Sequence, residues 1–266
     1  MPTYRLTIEY DGTEFCGWQR QASAVRTVCG EVETALSGLF AERIAVTAAG
    51  RTDTGVHSCG QVISFRSERD FPAERLALAM NAHLPPDVSA RDGARVADGF
   101  SARHDALERI YDYLIVNRPM PSAPLRRTTH HVWSRIDDER FARAAADLVG
   151  EHDFIAFCGV LPARGGTVRT VHSVTLDRAG DLARIRIVGG GFLHRMVRIS
   201  VGTLIEIADG RRPPGDIARI LASRDRREGG YTAPACGLTL AGVRYADYDS
   251  TRPALGFAAG ERSGAS

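Results

Sequence analysis

Apolar and polar positions alternate from Tyr4 to Tyr10. Tyr4, Leu6, Ile8 and Tyr10 face one way and Arg5, Thr7 and Glu9 the other, which predicts a half-buried strand ending at the turn Asp11-Gly12. The period then lengthens. Val28, Val32, Ala35, Leu36, Leu39 and Phe40 recur at helical spacing, with Thr27 as a candidate N-cap. Short strand-like runs follow at 44–49 and 61–65; Pro72 then introduces a helix through Leu76, Met80 and Leu84, and 88–96 reads as a strand. The order is β-α-β-β-α-β.

From Arg109 that order returns. Ile110, Leu114 and Val116 alternate with Tyr111, Tyr113 and Ile115, and Asp138 opens a helix through Phe141, Ala145, Leu148 and Val149 that Gly150 closes. Strands at 168–176 and 182–188 precede a helix through Phe192, Met196, Val197, Val201, Leu204 and Ile205. A further helix after Pro213-Pro214 and a strand from Leu238 to Tyr245 complete the run. The pattern predicts an α+β fold of two ferredoxin-like (β-α-β-β-α-β) halves with mainly antiparallel sheets flanking a central cleft. The expected boundaries are 1–105, 106–248 and a flexible tail at 249–266, rich in Ala, Gly, Ser and Pro. Only element order supports the two halves; no residue-level repeat does.

Composition narrows the chemistry. The 266 residues are 44% hydrophobic and 25% charged, with a net charge of only +2, yet all 34 basic residues are arginine. Without lysine, Schiff-base chemistry, a lysine-anchored pyridoxal phosphate and a Walker A lysine are excluded. Arginine grips phosphates bidentately and stacks on bases, so a nucleic-acid partner stays open. The five cysteines, at 16, 29, 59, 158 and 236, form no CxxC pair, which suits reduced thiols in the cytoplasm rather than a disulfide framework or zinc site. No charged-then-apolar leader and no 18-residue apolar run is present, so neither secretion nor membrane insertion is expected.

Between the strand-like runs at 44–49 and 61–65 lies GRTDTGVHSCGQV, residues 50–62. Its glycines 50, 55 and 60 permit positive φ or close approach of a ligand to backbone. Arg51 and Asp53 lie two apart, so an extended backbone points both to one face, where a carboxylate beside a guanidinium stays ionised as a nucleophile or base. An Asx-turn with a surface ion pair is the competing reading. His57 is a candidate base or a structural histidine bonding the loop backbone, and no third ligand joins it and Asp53 for a metal.

GRTDTGVHSCGQV resembles the signature of the tRNA pseudouridine synthase A family, GRTDxGVHxxGQV, built around a catalytic aspartate. YDGTEFCGWQRQ at 10–21 is similar to that family's YDGxxFxGWQxQ, and NAHLPPD at 81–87 to NxxLPxD. FSAR at 100–103 with RIYDY at 109–113 resembles FxAR followed by RxYxY. Asp153-Phe154 and FLHRMVR at 192–198 match DF and FLxxMVR. The likeness spans roughly residues 4 to 245.

The resemblance implies isomerisation of uridine to pseudouridine at positions 38 to 40 of the tRNA anticodon stem-loop. It implies a homodimer and no metal, nucleotide or other cofactor. Asp53 corresponds to the catalytic carboxylate, Tyr111 to a tyrosine contacting the base, Arg198 to a salt-bridge partner of the aspartate and Leu238 to an apolar residue padding the base pocket. Arg51 is a candidate wedge or phosphate contact. Tyr113 is the second aromatic on the Tyr111 face and otherwise a core residue. Trp18 is more often core than RNA contact in such a position. The runs Arg126-Arg127, Arg211-Arg212 and 224–227 are either solvated faces or phosphate contacts. Three positions depart from the family pattern: Asp112 stands where a basic residue is frequent, His104 replaces a common phenylalanine, and Arg198 is followed by Ile199-Ser200.

Overall fold

The N-terminal alternation produces β1 (Thr3–Tyr10), which ends in a 3-10 turn capped by the Asp11 side chain. Thr27 caps α1 (Val28–Phe40), its hydroxyl accepting from the Gly30 N–H at 3.2 Å. Then come β2 (Thr47–Ala48), β3 (His57–Arg66), α2 (Ala73–Asn81) and β4 (Val88–Val96). The remainder comprises β5 (Glu108–Asn117), β6 (His130–Val132), α3 (Asp138–Ala146), β7 (Gly150–Asp153), β8 (Val168–Ala179), β9 (Leu182–Gly189), α4 (Met196–Ala208), α5 (Asp216–Ser223) and β10 (Leu238–Arg244). This is a computed structural model, and it describes residues 1–22, 25–252 and 257.

The chain has the expected α+β class, and the strands of both halves join in one sheet of order β4-β1-β3-β10-β5-β9-β8-β7, with β2 on β3 and β6 on β5. Pairing is antiparallel except for β10 with β3 and β6 with β5. The last strand therefore returns to the middle of the sheet and sutures the early half to the late one. Two apolar clusters lie along it. Tyr4, Leu6 and Ile8 pack with Leu36 and Phe40 of α1 and Leu76 of α2, and a larger cluster surrounds α4. Of the thirteen residues of α4 only Arg198 and Glu206 escape burial, as expected of a helix apolar nearly all round.

Several local expectations shift. The strand expected at 44–49 shrinks to the two residues of β2, whereas β3 starts at His57, so the end of GRTDTGVHSCGQV is strand rather than loop. The cap of α3 is Asp137, whose carboxylate accepts from the Arg140 N–H; Gly150 opens β7 at φ 115° instead of closing the helix. Phe192 precedes α4. Of the tail expected at 249–266, residues 249–252 are held against the sheet. Ser250 is buried, and its hydroxyl donates to the Gly60 carbonyl at 2.7 Å and accepts from the Val243 N–H at 2.8 Å. Apart from Phe257, the rest of that tail lies outside the described residues.

Gly60 sits at the suture. A Cβ there would lie 2.6 Å from the Ala241 carbonyl oxygen, 2.7 Å from Gly242 Cα and 2.9 Å from the Ser250 carbonyl oxygen, all backbone atoms that cannot swing aside. Gly60→Ala is expected to cost about 1–3 kcal/mol through overpacking. Differential scanning calorimetry should show Tm lower by roughly 2–10 °C, by the usual scaling for a chain this long.

Candidate active site

The segment 50–57 leaves β2 and enters β3 at a sheet end, and several groups fix its path. Gln61 of β3 donates its Nε2 to the Gly50 carbonyl at 2.6 Å and accepts the Gly50 N–H on Oε1 at 3.3 Å. The Thr52 carbonyl accepts from the Trp18 N–H at 3.0 Å, and the Thr52 hydroxyl lies 2.8 Å from the Tyr10 hydroxyl. A turn closes from the Val56 N–H to the Asp53 carbonyl at 3.1 Å, with Gly55 at φ 77°. His57 is a latch: Nδ1 accepts the Gly12 N–H at 3.0 Å and Nε2 donates to the Arg127 carbonyl at 2.8 Å. Gly12 itself has no room for a side chain, because a Cβ would lie 2.0 Å from the Val56 carbonyl oxygen. Thus YDGTEFCGW supplies the cradle of the Asp53 loop, with Trp18 buried in the core as well as edging the cleft.

Asp53 projects from this loop toward the N-terminus of α4. Arg198 Nη1 donates to its Oδ2 at 2.9 Å, while Arg198 Nε donates to the Ala233 carbonyl at 2.7 Å. Held at two points, the guanidinium stabilises the ionised carboxylate. The other carboxylate oxygen, Oδ1, has His194 Nε2 at 3.7 Å, beyond hydrogen-bond reach. Tyr111 lies on β5, only 7% exposed, with its ring set edge-on to Phe192 at 5.3 Å and 90°. Burial pushes its hydroxyl up to about 12; the Asp53 carboxylate adds to that and Arg109 opposes it. It is therefore protonated and makes no hydrogen bond with a described residue. Leu238, buried at the start of β10, completes an apolar wall.

These residues share a cleft of about 1090 Å³ with Arg51, Phe192, His194 and Leu193 among its lining. Among the described residues its only acidic lining side chains, Asp53 and Glu33, each face an arginine, Glu33 pairing with Arg20 at 3.0 Å. Arg51, Arg103, Arg164 and Arg195 also line it, and their side chains enter no hydrogen bond or ion pair among the described residues. The arginine runs noted in the sequence are used differently. Arg211 and Arg212 pair with Asp209, Glu206 and Asp216, Arg224 with Asp153, and Arg227 with Asp225. Four guanidinium groups without such partners thus gather at the cleft. Among the described residues, no group of three or more His, Cys, Asp or Glu side chains gathers as a metal would require.

Tyr113 does not join Tyr111 in the cleft. Its hydroxyl donates to the Pro234 carbonyl at 2.9 Å and lies 3.1 Å from His130 Nδ1, leaving the ring in the core. Asp112, the residue out of keeping with the pattern, is fully buried and held bidentately by Arg186 of β9 at 2.7 and 2.8 Å. Arg109 opens the RIYDY segment at the start of β5. It proves a backbone clamp, donating to the carbonyls of Ala49, Ala106, Gly190 and Arg103 and so tying the start of the Asp53 loop to the turn before α4. No periodicity marks that role, since the acceptors are main-chain atoms from three separate segments.

A family model described as tRNA pseudouridine synthase matches residues 6–103 and 144–246. The tRNA pseudouridine synthase A of Moorella thermoacetica is 44% identical over 246 residues, covering 92% of this chain and 100% of that protein. The chain belongs to the tRNA pseudouridine synthase A family. The protein of that name from Acetivibrio thermocellus is 42% identical over 245 residues, again covering 92% of this chain and all of that protein. For Methylobacterium nodulans the figures are 41% over 254 residues, 95% and 100%. Family membership thus extends across both cores and both walls of the cleft.

Two outcomes follow from this site. Arg198→Gln removes the charge that steadies Asp53 while keeping a donor for Ala233; steady-state kinetics should show kcat lower by about 10²–10³, as when one preorganised electrostatic contact is lost. The second concerns His130, whose imidazole burial pushes down to about 4 and whose Tyr113–Pro234 contact adjoins the Ala233 carbonyl that Arg198 holds. Because the unfolded chain takes up this proton near pH 6.5, the stability from keeping His130 neutral is complete above that pH and lost as pH falls toward 4. Thermal melts should reveal a decline of about 1–2 kcal/mol between pH 7 and 5 that His130→Gln reduces.

Proposed function

We propose that Asp53 is the catalytic carboxylate with which this tRNA-uridine isomerase converts uridine to pseudouridine at positions 38 to 40 of the anticodon stem-loop. One observation carries the reading: Asp53 has one oxygen paired with Arg198 and the other open to the cleft beside Tyr111. A protein that only bound RNA would gain nothing from a carboxylate facing a polyanion.

The reaction breaks the N1–C1′ glycosidic bond, turns the uracil and joins C5 to C1′, with a proton leaving C5 and one arriving at N1. Redox state does not change. Attack by Asp53 on C6 or C1′, or removal of a C2′ proton, all need an ionised carboxylate close to a nucleotide that has left its helix. Tyr111 supplies an aromatic surface for the extracted base, worth about 1–3 kcal/mol and comparable with the cost of flipping. Leu238 pads the base from the β10 side. Arg51, with Arg103, Arg164 and Arg195, offers guanidinium groups to phosphates. Arg198 acts through Asp53, keeping it charged and aimed. Family resemblance supports a homodimer working in the cytoplasm, and no helix among the described residues is long and apolar enough to cross a membrane.

Tritium release from tRNA labelled at C5 of uridine tests the assignment. Wild type should release tritium, Asp53→Ala should release none while still binding tRNA, and equal release by both would refute it. Tyr111→Phe should remain close to wild type, whereas Tyr111→Ala should lose roughly 10- to 100-fold in turnover through lost stacking.

A further inference from the structure

The segment 158–167, between the 3-10 turn Phe154–Phe157 and β8, forms one rim of the cleft, which Val160, Pro162 and Arg164 line. Both of its roots are tied down. At the far end Asp153 Oδ1 accepts the Thr167 hydroxyl at 2.5 Å, the Thr167 carbonyl accepts the Phe154 N–H at 3.0 Å, and Arg169 donates to the carbonyls of Gly166 and Val168. At the near end the Gly159 N–H donates to the His194 carbonyl at 2.9 Å. Gly159 permits this contact because a Cβ there would lie 2.9 Å from His194 Nδ1 and 3.1 Å from Arg195 Cδ. Since His194 stands 3.7 Å from Asp53, the loop is registered to the carboxylate through a single residue.

At the tip of this braced loop, Val160 and Leu161 are 65% and 61% exposed, followed by Pro162. Isolated exposed aliphatics need no explanation, but two adjacent ones with proline on a cationic cleft rim do. The other large exposed side chains, such as Leu78 and Met120, do not line the cleft. Arg164, whose side chain is unengaged among the described residues, and Arg169 flank the aliphatic pair with positive charge. An apolar tip among arginines beside a catalytic cleft suits a helix from which a base has been removed: phosphates outside, stacked rings within.

We propose that the Val160-Leu161 tip is an apolar wedge that enters the tRNA stem as the target uridine leaves it, packing on the base next to the vacated position while Arg164 meets an adjoining phosphate. This rests on the function proposed above, in that a stacked uridine must be extracted to reach Asp53. Extraction leaves an apolar gap, and aliphatic side chains fill such gaps in bent or unstacked nucleic acids. The ties at both roots mean that little ordering is left to be done on binding. Gly165, at φ 77°, lies on the return from the tip toward β8.

The test uses full-length Asp53→Ala protein and tRNA carrying 2-aminopurine beside the target uridine, whose fluorescence rises when stacking is lost. Adding Val160→Ser with Leu161→Ser should lower the rise at least fivefold at saturating protein, with Kd for tRNA changed less than threefold. In the otherwise wild-type enzyme the same pair should slow tritium release at least tenfold on folded tRNA. It should slow release less than threefold on an RNA whose target uridine is already unpaired. Leu78→Ser, on α2, should change none of these. An unaltered fluorescence rise, or an equal loss on both substrates, overturns the wedge. Should the double variant melt early, Leu161→Ser compared with Leu161→Met decides, because only the apolar replacement should keep the signal. Failure of the Asp53 assignment is separately visible as tritium release by Asp53→Ala, which leaves the fluorescence comparison readable.

Discussion

The contact between Asp53 and Arg198 joins residues 145 positions apart and organises what surrounds it. A carboxylate and a guanidinium taken largely out of water are expensive to hold unless they are paired and the pair is braced by further hydrogen bonds. Arg198 is therefore anchored a second time on the Ala233 carbonyl, and the backbone around Asp53 is pinned through Gly50, Thr52 and Val56. The pair can form because β10 inserts beside β3, bringing the late half of the chain against the strand that carries the loop. Gly60 at that suture admits the backbone of 241–242 and 250 at distances no side chain would tolerate.

Arginine serves two separate purposes here. Where the chain must cross-link irregular backbone, as at Arg109, the guanidinium spreads its donors over carbonyls from several loops and is spent on structure. Where acids are near, as around α5, arginines are neutralised in ion pairs. Four uncommitted arginines, Arg51, Arg103, Arg164 and Arg195, gather around the cleft, so a nearly neutral chain still presents a cluster of positive charge there. Net charge alone conceals this.

Long periodic segments were legible. α1 with its Thr27 cap, β1, β4 and α4 follow directly from spacing, because each is long enough for its apolar residues to repeat at the period of its element. The short pieces were not. β6 and β7, three and four residues long, are too brief to carry a period, and β2 is held by pairing with β3 rather than by its own sequence. The loop chemistry of GRTDTGVHSCGQV was equally ambiguous read locally, since an Asx-turn and a catalytic carboxylate share the same residues. Only its company with the motifs at 10–21, 109–113 and 192–198 tips the balance, and the structure shows the physical link: those segments are the loop's cradle, the cleft wall and the helix carrying Arg198.

By itself the sequence determined the class of fold, the family and the identity of the residues with chemistry to offer, because burial patterns and contiguous motifs are local properties of the chain. Tertiary structure decided how they are combined. Tyr111 and Tyr113 share a strand face, yet one borders the cleft and the other is locked to Pro234; Asp112 becomes harmless only because Arg186 lies opposite on β9. The merging of both halves into one sheet, the pairing of Asp53 with Arg198 and the siting of unengaged arginines depend on contacts between distant segments. Such contacts are fixed by packing across the β3–β10 suture, for which no spacing along the chain provides a sign.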